Sequence, residues 1–404
     1  MIIVGGTYSE ICFEPIWENI YGSGFRAVSL VLENNDSLKV DFYTCADSKE
    51  IKGYLDYFEN LYPKLNNHIT EVNKSPEFHY DHPLKTPTII PRPDLYNSKD
   101  ILLKAKGDNI LAYGLIEAAI QVKGKKVVYD PQSPVNPIPF SSTGSIAEHL
   151  ITIVNLTEAR KITGENEVEK IKEFFFNVEK SYALIIKMGA KGAFLFKSQD
   201  SSPIKIPVFE TNRVWPIGSG DVFSAFFALS WFEGKDLESS ALLASKATAL
   251  YCNSKNLSIN NRLESFSYNE LIIDEVPSGQ IYLAGPFFTF SQRWLVNEVW
   301  NTLKGFGLKV FSPFHDVGHG KAKDVVDKDL EGLDKSDVVF AIVDGLDSGT
   351  LFEVGYAICQ KKTVVAFAQN EGEESLKMLE GTNCIIETDF TTAIYKLYWA
   401  CAKK

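Results

Sequence analysis

Short β-branched apolar runs alternate with longer amphipathic stretches along this chain, in two separate series. Such alternation signals an α/β fold with a largely parallel sheet. In the first series, strands are expected at residues 2–4, 127–129, 151–154 and 183–186. Helices are expected at 110–122, 156–163, 168–176 and 221–232. The second series begins after residue 278, with strands expected at 280–284, 308–311, 338–343 and 363–368. Its helices are expected at 292–305, 325–333 and 351–360. About 125 residues suit one small doubly wound domain. Between the series, residues 253–279 are rich in Asn, Ser and acidic side chains and end in Pro277-Ser278-Gly279. The expected organisation is one domain over 1–253, a linker over 254–278 and a second domain over 279–404. A length of 404 residues agrees with that, at about 150 per domain. Residues 62–100 carry Pro63, Pro76, Pro83, Pro87, Pro91 and Pro93, and read as a long ordered loop or reduced lid rather than a helix.

Composition removes several function classes. The chain is 45% hydrophobic and 23% charged, which excludes disorder, collagen and coiled coil. It has no apolar run of about 18 residues, so no membrane-spanning helix is expected. Met1-Ile2-Ile3-Val4-Gly5-Gly6 reads as a strand and turn without a basic n-region or cleavage site. The expected location is the cytoplasm. A net charge of −11 repels phosphate backbones and argues against nucleic-acid binding, while leaving small anionic substrates open. Cys12, Cys45, Cys252, Cys359, Cys384 and Cys401 show no metal or redox spacing and are expected as reduced thiols. His315 and His319 are four apart, but Gly318 and Gly320 make that stretch a loop, which disfavours a zinc pair.

The sharpest local signal in the first half is Ile217-Gly218-Ser219-Gly220-Asp221, followed by an apolar helical run. Glycines let backbone N–H groups converge on an anion, and the helix N-terminus adds its positive dipole end. Asp221 falls in the first turn, where it can cap the helix or act as a general base. Upstream, Asn155-Leu156-Thr157-Glu158 follows a strand and opens a helix. Lys187-Met188-Gly189-Ala190-Lys191-Gly192 is a strand end and glycine turn, and Gly22-Ser23-Gly24-Phe25-Arg26-Ala27 precedes another helical stretch.

Taken in order, strand-Asn-x-x-Glu, strand-x-Gly-x-x-Gly and Gly-x-Gly-Asp resemble the PfkB (ribokinase-like) family of carbohydrate and nucleoside kinases, over roughly residues 1–253. The resemblance implies a three-layer α/β/α domain with a reduced lid, ATP as phosphoryl donor and Mg2+. Gly218, Ser219 and Gly220 would form the anion hole and Asp221 would deprotonate the acceptor hydroxyl. Asn155 and Glu158 would organise the metal. Lys187, Gly189 and Gly192 match the nucleotide-binding turn, and Glu10 is the nearest match to the substrate-binding acid. Lys187 stands where the family carries Thr, and Val214-Trp215-Pro216-Ile217 where it carries Asp-Thr. Those differences keep open a second reading, in which the first half is a non-catalytic nucleotide or nucleoside sensor.

The second half has its own constellation. Tyr282-Leu283-Ala284-Gly285-Pro286-Phe287-Phe288 is a strand ending in Gly-Pro and two aromatics. Asp344-Gly345-Leu346-Asp347-Ser348-Gly349-Thr350 is the loop after a buried strand, and Glu353 lies near the start of the next helix. Ligands in doubly wound folds sit at such strand ends, and glycosidic chemistry uses a carboxylate nucleophile. The pattern resembles the nucleoside 2-deoxyribosyltransferase family across 279–404. The resemblance implies Glu353 as nucleophile at C1′, Tyr282 orienting it and Asp347 holding sugar hydroxyls. It places Asp329 near the departing base, and Phe287 and Phe288 stacked on that base, with Gly285 and Gly349 beside the substrate. Transfer to a second base and hydrolysis by water stay open, as do nucleosides and 5′-monophosphates. Ser291 and Arg293 are candidates for a phosphate, against a surface-helix reading. Tyr395, Tyr398 and Trp399 read better as core than as a contribution to a partner's site. No cofactor is implied for this half. The implied partners are a small-molecule nucleoside, nucleobase or sugar, and a homo-oligomer.

Overall fold

The computed structural model describes residues 1–48, 50–98, 100–133, 135–273 and 275–403. The chain divides into two compact units, Met1–Thr211 with Trp215–Ile272, and Asn212–Val214 with Ile273–Lys404. Among the described residues, no helix is long and apolar enough to cross a membrane.

The first unit is built on a nine-stranded sheet. In spatial order its strands are Ile204–Ile206, Ala193–Phe196, Ala183–Lys187, Ile146–Asn155, Ala119–Asp130, Leu102–Tyr113, Ile2–Val4, Val40–Asp47 and Leu65–Val72. From Ala183–Lys187 to Leu65–Val72 all neighbours run parallel. Alternate side chains enter different cores, as the two-residue period of a strand requires. Ile185 packs in a core with helices Gly22–Asn34, Ser219–Phe232 and Leu237–Ser254, while Leu184 and Ile186 pack with Leu156–Thr163 and Val168–Asn177. Each such side chain, fully buried, stabilises by about 1.5–3 kcal/mol before entropy is counted.

Three stretches differ from their sequence reading. Residues 110–122 are not a helix; they hold the end of strand Leu102–Tyr113, a connection over 114–118 and the start of strand Ala119–Asp130, and the two strands pair in parallel from Leu102↔Ala119 to Tyr113↔Asp130. Ile110, Leu111, Ala112 and Tyr113 are all buried. A strand covered on both faces loses its polar alternation and is easily read as a buried helix. Residues 62–100 are not a loop either. They hold Leu65–Val72 of the main sheet, and Glu77–Tyr80 and Thr88–Ile90 of a four-stranded sheet completed by Ser9–Cys12 and Trp17–Ile20. The prolines punctuate strand ends: Pro76 and Pro87 precede two of these strands and Pro91 follows one. Lys99 lies outside the described residues. Within the expected linker, Leu257 and Ile259 are buried in the first unit's core, and Asn269–Leu271 pairs antiparallel with Val208–Glu210. Asp274 of that stretch lies outside the described residues.

The second unit carries an all-parallel five-stranded sheet, ordered Lys309–Phe311, Gln280–Ala284, Val338–Ile342, Thr363–Phe367, Ile385–Glu387. Its first strand, Gln280–Ala284, lies between the second and third, so the chain reverses direction across the sheet there. Such a switch point opens a crevice beyond the strands' carboxyl ends. Gly285-Pro286-Phe287 leaves one of those ends and 343–347 leaves the other.

Candidate functional sites

Glu10, Asn155, Glu158, Lys187, Gly189, Gly192 and the Gly218–Asp221 turn all line one cavity of about 810 Å3 in the first unit. Helix Ser219–Phe232 begins on Gly218, whose φ of +76° is left-handed. A Cβ there would also fall 2.2 Å from Cζ of Arg26, so only glycine suits the position. Asp221 sits in the helix's first turn and is buried. Its Oδ2 accepts from Arg26 Nη1 at 2.5 Å, and its Oδ1 accepts from Gln132 Nε2 at 2.5 Å. Arg26 also pairs with Glu10, whose other oxygen accepts the Gly22 amide at 3.0 Å. Burial raises the Glu10 carboxyl above its ordinary value, against the pull of Arg26.

Lys187, at the end of its strand, donates to Asp130 at 2.6 Å, and Ser224 donates to the same oxygen at 2.6 Å. A Cβ on Gly220 would lie 3.3 Å from Lys187 Nζ, which places the ammonium against the glycine turn. Asn155 and Glu158 form a capping box for helix Leu156–Thr163. Asn155 Oδ1 accepts the Glu158 amide at 2.8 Å, and Glu158 Oε2 accepts the Asn155 amide at 2.9 Å. Burial, then the charge of Asp130, raises the Glu158 carboxyl to about 7, with Lys187 opposing. Among the described residues, no group of three or more His, Cys, Asp or Glu is arranged to hold a metal.

Three neighbours escaped the sequence reading. Arg26 had a signal, a charge amid the apolar run Phe25, Ala27, Val28, Leu30 and Val31. Asp130 ends a strand, which is a weaker signal. Gln132, on a loop, had none.

In the second unit, Tyr282 donates its hydroxyl to Glu353 Oε1 at 2.6 Å. Burial raises the Glu353 carboxyl to about 7; the Tyr282 hydrogen bond opposes that, and the charges of Asp329 and Asp347 add to it. Asp347 caps helix Ser348–Cys359, accepting the Thr350 amide at 2.9 Å and its hydroxyl at 3.0 Å. Burial raises the Asp329 carboxyl, and its Oδ1 is buried without a partner. A Cβ on Gly349 would lie 3.1 Å from Asp347 Oδ2, and one on Gly285 would lie 3.1 Å from Ile342. Beyond the Tyr282 strand, Phe287 stacks on Phe288 with centroids 5.6 Å apart, and Phe314 closes on Phe287 at 5.4 Å. Phe288 is 67% exposed.

The remaining candidates find local roles. Ser291 and Arg293 bond to Thr289 at the start of their helix. Tyr398 and Trp399 are buried core residues. His315 stacks on Trp300, and its two ring nitrogens are bonded to Ser312 and Asn297. Among the described residues, none of the six cysteines forms a disulfide.

Comparison with known proteins gives two family matches. Residues 98–263 match the pfkB family carbohydrate kinases, and residues 281–388 match the nucleoside 2-deoxyribosyltransferases. A ribokinase of Arabidopsis thaliana is 30% identical over 141 residues, 33% of this chain and 36% of its own length. The chain thus spans about a third of that curated relative. Among solved structures, a ribokinase from Thermotoga maritima is 19% identical with a TM-score of 0.48, covering 66% of this chain and 98% of its own. A fructokinase from Vibrio cholerae, bound to fructose, ADP and calcium, is 13% identical with a TM-score of 0.49 and the same coverage.

Proposed function

From the premise that one chain fuses a pfkB carbohydrate kinase segment to a nucleoside 2-deoxyribosyltransferase segment, we propose two activities on a nucleoside or sugar. The second unit cleaves or exchanges the N-glycosidic bond of a nucleoside. The first phosphorylates a sugar or nucleoside hydroxyl from ATP.

The observation that carries the first activity is the Tyr282 hydroxyl held 2.6 Å from Glu353 at the sheet's switch point. Glu353, ionised, attacks C1′ and forms an ester. The C–N bond breaks toward the base, which takes a proton from the Asp329 carboxyl. That carboxyl is raised by burial, as a proton donor's should be. Asp347 takes the sugar hydroxyls, and Phe287 and Phe288 stack the base. A second base attacking C1′ regenerates a nucleoside; water in its place gives the free sugar. Base release is measured from deoxy- and ribonucleosides and their 5′-monophosphates, with and without an acceptor base. Exchange that needs the acceptor and vanishes in Glu353→Ala establishes the transferase. Release without acceptor makes it a hydrolase, and no release from any substrate removes the reading.

For the kinase activity, Asp221 accepts the acceptor's proton, and the amides of the Gly218–Asp221 turn stabilise the transferred phosphoryl group. Lys187, Gly189 and Gly192 flank the nucleotide. Asn155 and Glu158 would organise a magnesium ion, Glu158 through water. Asn155 is already engaged as a helix cap. When bound, the ion would neutralise charge on the phosphates. A second reading, a nucleotide or nucleoside sensor, draws on the Arg26 and Gln132 donors that occupy Asp221. ADP formation with sugars and nucleosides, lost in Asp221→Asn while ATP binding persists, favours the kinase over the sensor.

A further inference from the structure

Glu10 and Asp221 line the first unit's cavity, and all their carboxylate oxygens are taken by donors of the chain itself. A hydroxyl acceptor approaching the proposed base therefore meets an oxygen that already holds a donor, and must share that oxygen or displace the donor. The donors differ in how readily they yield. The Gly22 amide is fixed in the first turn of helix Gly22–Asn34. Arg26 is 1% exposed, lies against Gly218, and sits 4.8 Å from the centroid of the Tyr21 ring. Pulling it off either carboxylate leaves buried charge unpaired, the most costly kind of loss in a protein interior. Gln132 is neutral, half-buried, and stands on the loop after strand Ala119–Asp130. Exchanging its amide N–H for a ligand O–H at the same oxygen trades one neutral donor for another.

We propose that Gln132 holds the acceptor hydroxyl's place at Asp221 Oδ1, and that the acceptor enters by displacing this amide while Arg26 keeps Asp221 aimed through Oδ2. The inference rests on the kinase reading and adds a gating residue and a positioning residue to it. With a nucleoside triphosphate bound, the acceptor's O–H bond breaks and its proton passes to Oδ1. The acceptor oxygen bonds the γ-phosphorus as the bond to the departing diphosphate breaks. Without an acceptor, water takes the same place, so Gln132 also limits wasteful hydrolysis.

The test uses the full chain with MgATP, and ribose, 2-deoxyribose and adenosine as acceptor probes. Calorimetry reads MgATP affinity, and ADP formation reads turnover with and without each probe. In Gln132→Ala, MgATP affinity stays within about twofold, because the amide's close bond is to Asp221 and its contact with Asp130, the partner of Lys187, is long at 3.4 Å. The acceptor KM falls by about two- to tenfold, the worth of one neutral hydrogen bond, at unchanged kcat. Acceptor-free ADP formation rises over the same range. In Arg26→Lys, which keeps the charge but not the fork, kcat falls by about tenfold or more at near-constant MgATP affinity. Should Arg26→Lys fail to fold, the Gln132→Ala result still decides. An unchanged or raised acceptor KM in Gln132→Ala, with an active parent protein, overturns the inference alone. A parent protein that binds no MgATP, or forms no ADP with any probe, overturns the kinase reading and the inference with it.

Discussion

Glu353 has to be ionised before it can attack carbon, yet burial raises its carboxyl to about 7. Base release should therefore fall about tenfold for each pH unit below 7 and level off above it, a limb read from kcat/KM between pH 5 and 9. Tyr282 donates to the ionised form, so Tyr282→Phe should move that limb up by about one pH unit. A limb that stays in place would remove Tyr282 from the orienting role. The same raised carboxyl has a consequence for stability. Its folded value exceeds the unfolded one near 4.5, so stability falls as pH rises from 4.5 toward 7. Glu353→Gln should thus be more stable than the parent at pH 8, by about 1–2 kcal/mol because the side chain is only half-buried, with the difference gone below pH 4. Urea midpoints at the two pH values check it. Glu353 and Asp347 were legible together, since an Asp directly before a helix and a Glu six residues on within that helix form one local pattern. The sequence did not reveal that Asp221 is occupied. Arg26 and Gln132 are 195 and 89 residues away from it in the chain, and only folding brings them to its oxygens.

The glycine turn and the Asn155 cap carry the predictions at the scale of elements. Gly218→Ala forces a left-handed φ on a residue with a Cβ and drives that Cβ into the Arg26 guanidinium. It should cost about 2–3 kcal/mol by chemical denaturation, more than the glycine conformation alone accounts for. A loss below 1 kcal/mol would mean that Arg26 can leave its place. Asn155→Ala removes a capping-box acceptor and should cost about 1 kcal/mol. MgATP affinity in that variant separates cap from ligand: a change within about twofold leaves Asn155 a cap, and a tenfold loss gives it a part in holding the metal. The helix at 156–163 was readable because Asn155, Glu158 and Gly164 are local signals that start and stop it. The strands across 110–122 were not, because although they pair with each other, their outer partners Ile2–Val4 and Ile146–Asn155 come from elsewhere in the chain. The strands within 62–100 were hidden for a related reason: Leu65–Val72 acquires its pairing from Val40–Asp47, and Glu77–Tyr80 and Thr88–Ile90 acquire theirs from Ser9–Cys12 and each other.

At the scale of the whole chain, two sets of carboxylates belong to two separately organised units, each placed beyond the carboxyl ends of parallel strands. If both are working sites, disabling one should leave the chemistry of the other intact. Asp221→Asn should leave base release within about twofold, and Glu353→Ala should leave ADP formation within about twofold, as independent sites require. ATP then distinguishes the two readings of the first unit. A kinase consumes ATP and changes which product accumulates, an effect that Asp221→Asn abolishes along with ADP formation. A sensor changes the rate of base release without consuming ATP, and Asp221→Asn keeps that response as long as ATP still binds. Base release measured in both proteins across an ATP titration, with ADP followed in parallel, gives the two readings opposite outcomes. A response to ATP that survives without ADP formation would make the first unit a regulator, and the Arg26–Asp221 pair a structural element of its binding site rather than part of a phosphoryl-transfer centre.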